Sequence, residues 1–138
     1  HPDVKAIYPI HMNPVVRQAA EEELGGFYRI RIIDPLEVLD FHNFLARSYL
    51  ILTDSGGIQE EAPALGKPVL VMRDTTERPE GVAAGTLKLV GTSEEVIYQN
   101  VRKLLDDPDA YHQMEQATNP YGDGKASRYI AEILEKEL

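Results

Sequence analysis

The stretch LILTDSGGIQEEAPALGKPVLVMRDTTERPEG, Leu50 to Gly81, decides the fold. The run that leads into it, Tyr49 to Thr53, is apolar and continuous, as a strand of a parallel sheet covered on both faces should be. Ser55-Gly56-Gly57 then opens a helix, which Gly66-Lys67-Pro68 ends. Pro68 to Met72 is a second apolar run. Strand, helix and strand in so few residues make a parallel βαβ unit.

The same alternation extends in both directions. Val4 to Ile10 reads as a strand, and Asn13-Pro14 starts a helix that runs to about Leu24 and stops at Gly25-Gly26. Tyr28 to Ile33 is the next strand. Pro35 is expected to open a second helix, with Leu36, Leu39, Phe41, Phe44 and Leu45 at helical spacing. Beyond the opening stretch, Thr86 to Val90 is a short strand. Helices are expected over Ser93 to Leu105 with Ser93 as cap, about Pro108 to Ala117, and about Gly124 to Leu138. Asn119 to Gly124 is a turn. The fold class is α/β, a Rossmann-like parallel sheet with helices on both faces.

The 138 residues fit one domain, are 43% hydrophobic and carry a formal net charge of -9. That balance argues against a nucleic-acid surface, which needs clustered Lys and Arg. It leaves room for an anionic small ligand held locally by a helix start and one arginine. No apolar run is long enough to span a membrane, and a cytoplasmic setting is the default. Cysteine is absent. The His, Asp and Glu residues show no metal-ligand spacing such as HExxH, so no metal is expected.

In an open parallel sheet, ligands bind beyond the carboxyl ends of the strands. Thr53-Asp54-Ser55-Gly56-Gly57 sits at such an end. Two glycines let a ligand approach the backbone, Ser55 adds a hydroxyl, and the first-turn amides with the helix dipole favour an anion. A phosphate or diphosphate suits the turn; a strand-to-helix turn that needs glycine for its own backbone is the alternative. The segment lacks the Lys-Ser/Thr of a P-loop. Glu60 and Glu61 suit the first helical turn by dipole alone, or reach past a phosphate to sugar hydroxyls. Arg78, in the polar loop Thr75 to Glu80, either forks onto a diphosphate or pairs with Glu77, Glu80 or Asp74. Phe41 stacks on a base or belongs to the core. His11 is a rim residue that either takes a hydrogen bond or serves catalysis.

Thr53 to Gly81 closely resembles the non-hydrolysing bacterial UDP-N-acetylglucosamine 2-epimerases. So do YPIHMNP (Tyr8 to Pro14), IDPLEVLDF (Ile33 to Phe41) and NPYGDGKAS (Asn119 to Ser127). The resemblance covers nearly the whole chain. It implies a single UDP-binding Rossmann-like domain over 1–138, most of the C-terminal half of a two-domain enzyme of the glycosyltransferase-B arrangement. The N-terminal catalytic half and the first strand of this half would be missing, which should leave a gap among the strands, or force a rearrangement or pairing with another chain. Ser55, Gly56 and Gly57 would hold the diphosphate of UDP with Arg78 assisting. Glu61 would take the ribose hydroxyls, Phe41 would pack at the uracil and the backbone at Leu36 would meet its edge. His11 belongs to a motif near the cleft.

The reaction so implied removes the C2 proton and expels UDP to give 2-acetamidoglucal; UDP then re-adds, giving the manno epimer. No cofactor is needed. UDP and UDP-N-acetylhexosamines are the expected ligands, a homodimer the expected assembly of the whole enzyme, and a cell-surface polysaccharide precursor the expected product. The acid/base carboxylates of the family lie outside this chain, so the chain alone should be inactive. A UDP-sugar glycosyltransferase and a non-catalytic UDP-sugar-binding module are the competing readings. The TERPEG and NPYGDG segments favour the epimerase.

Overall fold

A computed structural model describes residues 1–137; the last residue of the expected C-terminal helix, Leu138, lies outside the described residues. The described chain divides into two compact units, His1–Asn43 and Phe44–Leu138.

In the first unit, β1 (Ala6–Pro9) pairs in parallel with β2 (Ile30–Ile33), in the register Ala6 to Ile30 and Pro9 to Ile33. Between them runs α1 (Pro14–Leu24). Its start is as the sequence dictates: the Asn13 side chain accepts from the Val15 amide at 3.0 Å, and Pro14 occupies the first helical position. Ile10 and Ala20 are buried, whereas Ile7 and Tyr8 on β1 are exposed. Two strands and one helix carry too little apolar area to cover both faces of a sheet.

Helix α2 (Val38–Arg47) begins three residues later than Pro35 implies. Asp34, which would cap a helix opening at Pro35, gives its carboxylate to Arg17 instead. The first helical bond of α2 runs from the Phe41 amide to the Glu37 carbonyl, 2.9 Å. Leu45 is buried; Leu39, expected on the apolar face, is 77% exposed.

The second unit is a three-stranded parallel sheet in the order β3 (Ile51–Thr53), β4 (Val69–Val71), β5 (Leu87–Leu89). Val69, Leu70 and Val71 of the central strand are fully buried, each worth about 1.5–3 kcal/mol. Leu70 packs with Val90 and Leu104, and Leu50, Met72, Ile97, Val101 and Met114 close around them. The edge strand β3 is less covered than a continuous apolar run implies: Leu52 is 40% exposed. Helix α3 (Ile58–Ala64) joins β3 to β4 and tolerates the buried Pro63 one residue before its end.

A further, unexpected helix, α4 (Pro79–Ala84), begins at the end of the polar loop expected over Thr75 to Glu80. It ends at Gly85, whose φ of 83° closes the last turn with its amide on the Gly81 and Val82 carbonyls. Helices α5 (Glu94–Asp106), α6 (Pro108–Glu115) and α7 (Ala126–Glu137) complete the unit. Asp107 caps α6 through its carboxylate, 3.1 Å from the Asp109 and Ala110 amides. Ser93 stands at the cap position of α5 but makes no side-chain cap bond. Glu94 and Glu95 in the first turn of α5 supply negative charge where the helix dipole favours it.

Candidate functional site

The register sets the site. Thr53 lies beside Val71, so the residues after Thr53 and those after Val71 leave the sheet at the same edge. The Met72 amide donates to the Thr53 carbonyl at 2.9 Å, which holds the two exits together. Asp54 to Gly57 forms one wall, Arg73 to Arg78 the other.

The turn is held from within. The Ser55 amide donates to Thr53 Oγ1 at 3.0 Å, and Gln59 Nε2 donates to the Ser55 carbonyl at 3.2 Å. The Ser55 amide is therefore occupied by the protein, and the part of Ser55 open to a ligand is its hydroxyl. The first-turn amides expected to face outward are also partly engaged: those of Glu60 and Glu61 return to the Gly57 carbonyl at 3.0 and 3.1 Å. At Gly56 and Gly57 it is the protein's own side chains that come close to the backbone. A Cβ on Gly56 would stand 2.6 Å from Glu77 Oε1, and one on Gly57 3.7 Å from Glu61 Oε1. Two carboxylates thus lean over the glycine pair.

Arg78 pairs with Glu60, not with Glu77, Glu80 or Asp74. Its Nε donates to Glu60 Oε1, and Nη1 to the Glu77 carbonyl at 3.1 Å. A guanidinium has five N–H donors, so these two contacts leave capacity for an anion on the terminal nitrogens. The Glu77 carboxylate takes two bonds from Arg73 Nη1, at 2.9 and 3.2 Å. A hydrogen bond from the Glu77 backbone amide, with the charges of Arg73 and Arg78, holds that carboxyl below the usual carboxylate range against a smaller opposing effect of desolvation. Tyr121, in the NPYGDG segment, reaches helix α4, where a Cβ on Gly81 would meet its hydroxyl. Burial is the main reason the Tyr121 hydroxyl is held above its ordinary pKa, with Glu80 and Glu60 adding to it.

The structure therefore brings Ser55, Gly56, Gly57, Glu61 and Arg78 to one edge of the second unit. Leu36, Phe41 and His11 belong to the first. Phe41 is half-buried on α2, its ring centroid 6.4 Å from that of His42. His11 Nδ1 accepts from the Asn13 amide at 3.1 Å, so a neutral ring carries its proton on Nε2. Among the described residues no group of three His, Asp or Glu could hold a metal ion. A groove of about 500 Å³ lined by Leu70, Val82, Leu89, Lys103 and Met114 includes neither the glycine pair nor Arg78.

Sequence reasoning missed two residues. Gln59 is fully buried, and its carbonyl accepts from the Thr76 hydroxyl. Thr76 Oγ1 in turn accepts from the Arg78 amide at 2.9 Å. The available signal was a glutamine between an isoleucine and two glutamates in the first turn of a short helix, a position that composition would assign to solvent.

The family model described as UDP-N-acetylglucosamine 2-epimerase matches residues 1–135. The UDP-N-acetylglucosamine 2-epimerase of Bacillus subtilis is 67% identical over 132 residues, 96% of this chain and 35% of the relative. A co-structure of S. aureus MnaA with UDP superposes with a TM-score of 0.93 at 55% identity, over 99% of this chain and 38% of that one. The Neisseria meningitidis UDP-GlcNAc 2-epimerase bound to UDP-GlcNAc gives a TM-score of 0.88 at 49% identity, over 98% and 37%. The chain thus spans little more than a third of the length of the relatives it matches. On the family match along almost its whole length, the chain belongs to the UDP-N-acetylglucosamine 2-epimerase family.

Proposed function

We propose that this chain is the UDP-binding part of a UDP-N-acetylglucosamine 2-epimerase, an isomerase giving UDP-N-acetylmannosamine by elimination and re-addition of UDP. One observation carries the reading: Ser55, Gly56, Gly57 and Arg78 stand together at the carboxyl edge of a parallel sheet, in a chain that matches relatives solved with UDP and with UDP-GlcNAc. The glycine pair and the Ser55 hydroxyl take the diphosphate, Arg78 pairs with it, and Glu61 accepts from the ribose hydroxyls. Phe41 and the backbone of Leu36 take the uracil.

Breaking the anomeric bond leaves extra negative charge on the departing diphosphate. Donors already in place for that charge bind it more strongly than they bind the substrate, which lowers the barrier. The same donors hold UDP for re-addition, so the second step has the advantage of an intramolecular one. No residue of this chain is assigned the C2 proton transfers; His11 is the nearest candidate by chemistry. The whole enzyme works in the cytoplasm as a homodimer on a cell-surface polysaccharide precursor.

Calorimetric titration with UDP and with uridine tests the reading. Arg78→Ala removes a charged hydrogen-bond partner of the diphosphate, worth about 1.5–3 kcal/mol. UDP should weaken about 10- to 100-fold, with uridine little changed. Equal losses for both would reject the role given to Arg78.

A further inference from the structure

A partly buried, one-directional chain of hydrogen bonds joins the two walls of the site. The Arg78 amide donates to Thr76 Oγ1 at 2.9 Å, and the Thr76 hydroxyl donates to Gln59 Oε1. Gln59 Nε2 then donates to the Ser55 carbonyl at 3.2 Å. Every donor points the same way along the series, so each bond polarises the next. Gln59 has no exposed surface at all. A primary amide so placed is costly unless both its ends are bonded, and both ends bond to the site's two walls. The Ser55 amide is fixed on the other side by Thr53 Oγ1 at 3.0 Å. Ser55 is thereby clamped at both its backbone groups, and Arg78 is tied to it through two side chains.

We propose that Gln59 and Thr76 are positioning residues that set the separation between the Ser55-Gly56-Gly57 turn and Arg78, and with it the fit to a diphosphate rather than to a single phosphate or a nucleoside. This rests on the diphosphate reading of the site. Neither residue contacts the ligand; each acts through the backbone of Ser55 or Arg78. The short helix α3 contributes only as the element that carries Gln59.

The test compares binding of UDP, UMP and uridine by the whole chain and its variants, with the thermal midpoint of each recorded. Thr76→Val keeps the shape of the side chain and removes the hydroxyl. It should weaken UDP about tenfold, the worth of roughly one hydrogen bond in the series, while UMP and uridine change less than twofold. Thr76→Ser restores the hydroxyl and should bring UDP affinity back. Gln59→Met, similar in volume and without hydrogen-bonding groups at its end, gives the same selective loss and carries the comparison if Thr76→Val does not fold. A lowered midpoint with an unchanged UDP to uridine ratio would overturn the proposal, as would equal losses in Thr76→Val and Thr76→Ser. If Arg78→Ala loses UDP selectively while these variants do not, the positioning role alone fails. If the unmodified chain prefers UDP no more than uridine, the diphosphate site fails with it.

Discussion

At the scale of single residues, the site is a balance of charges around two glycines. Glu60 holds Arg78, and Arg73 holds Glu77 over Gly56. The Arg73–Glu77 pair is half-exposed, so solvent screens its attraction. Its value lies in where it puts a carboxylate. Glu77 has a folded-state pKa below its unfolded value, chiefly through its backbone amide. Such a group adds stability that is present above the unfolded pKa and lost as pH falls through the folded one. Asp123 is depressed too, first by the Tyr129 hydroxyl and then by the Lys125 amide. Thermal melts should therefore lose midpoint as pH drops through roughly 4 and below. Glu77→Gln and Asp123→Asn should each flatten that acid limb. An acid limb identical in both variants and the unmodified chain would contradict this account of the two carboxylates.

At the scale of elements, a pair of tyrosines fastens helix α6 to the residues that lead into β3. The rings of Tyr49 and Tyr111 stack at 4.1 Å, and the Tyr111 hydroxyl donates to the Tyr49 carbonyl at 2.8 Å. The Tyr49 hydroxyl reaches the Leu104 carbonyl at 3.2 Å. Tyr111→Phe keeps the stack and leaves the Tyr49 carbonyl without that donor. It should cost about 1 kcal/mol, read as a lower midpoint in urea with an unchanged slope; no loss would mean that water replaces the bond fully. Much at this scale was legible in the sequence. All five strands and α1 stood out through short apolar runs, Asn13-Pro14 and Gly25-Gly26. Helix α4 was not seen, because six residues are too few to show a period. Its signals were Pro79 at the first position and Gly85 after the last. The start of α2 was misjudged because proline fits a first helical position, while the pairing of Arg17 with Asp34 that takes away the cap is a contact between distant residues. The same limit applies to the site. A glycine pair after an apolar strand is visible in one dimension. That Arg78 pairs with Glu60, and that Gln59 is buried, depends on the register of β3 beside β4.

At the scale of the whole molecule, the chain matches about a third of the length of its relatives. A diphosphate cradle stabilises a leaving group but does not move the C2 proton, a step to which the proposal assigns no residue of this chain. The 138 residues should bind UDP without converting UDP-N-acetylglucosamine to its manno epimer. Product detected by proton NMR with the purified chain alone would place the acid/base groups within it.

The central claim is that the turn at Gly56 and Gly57, with Arg78, receives the diphosphate. Titrating the ¹⁵N-labelled chain with UDP and following backbone amide shifts tests it most directly. The account predicts that the amides of Gly56, Gly57 and Arg78 move most, and that uridine moves them far less. Saturable UDP binding that leaves those three amides unmoved, with the largest shifts elsewhere, would contradict it.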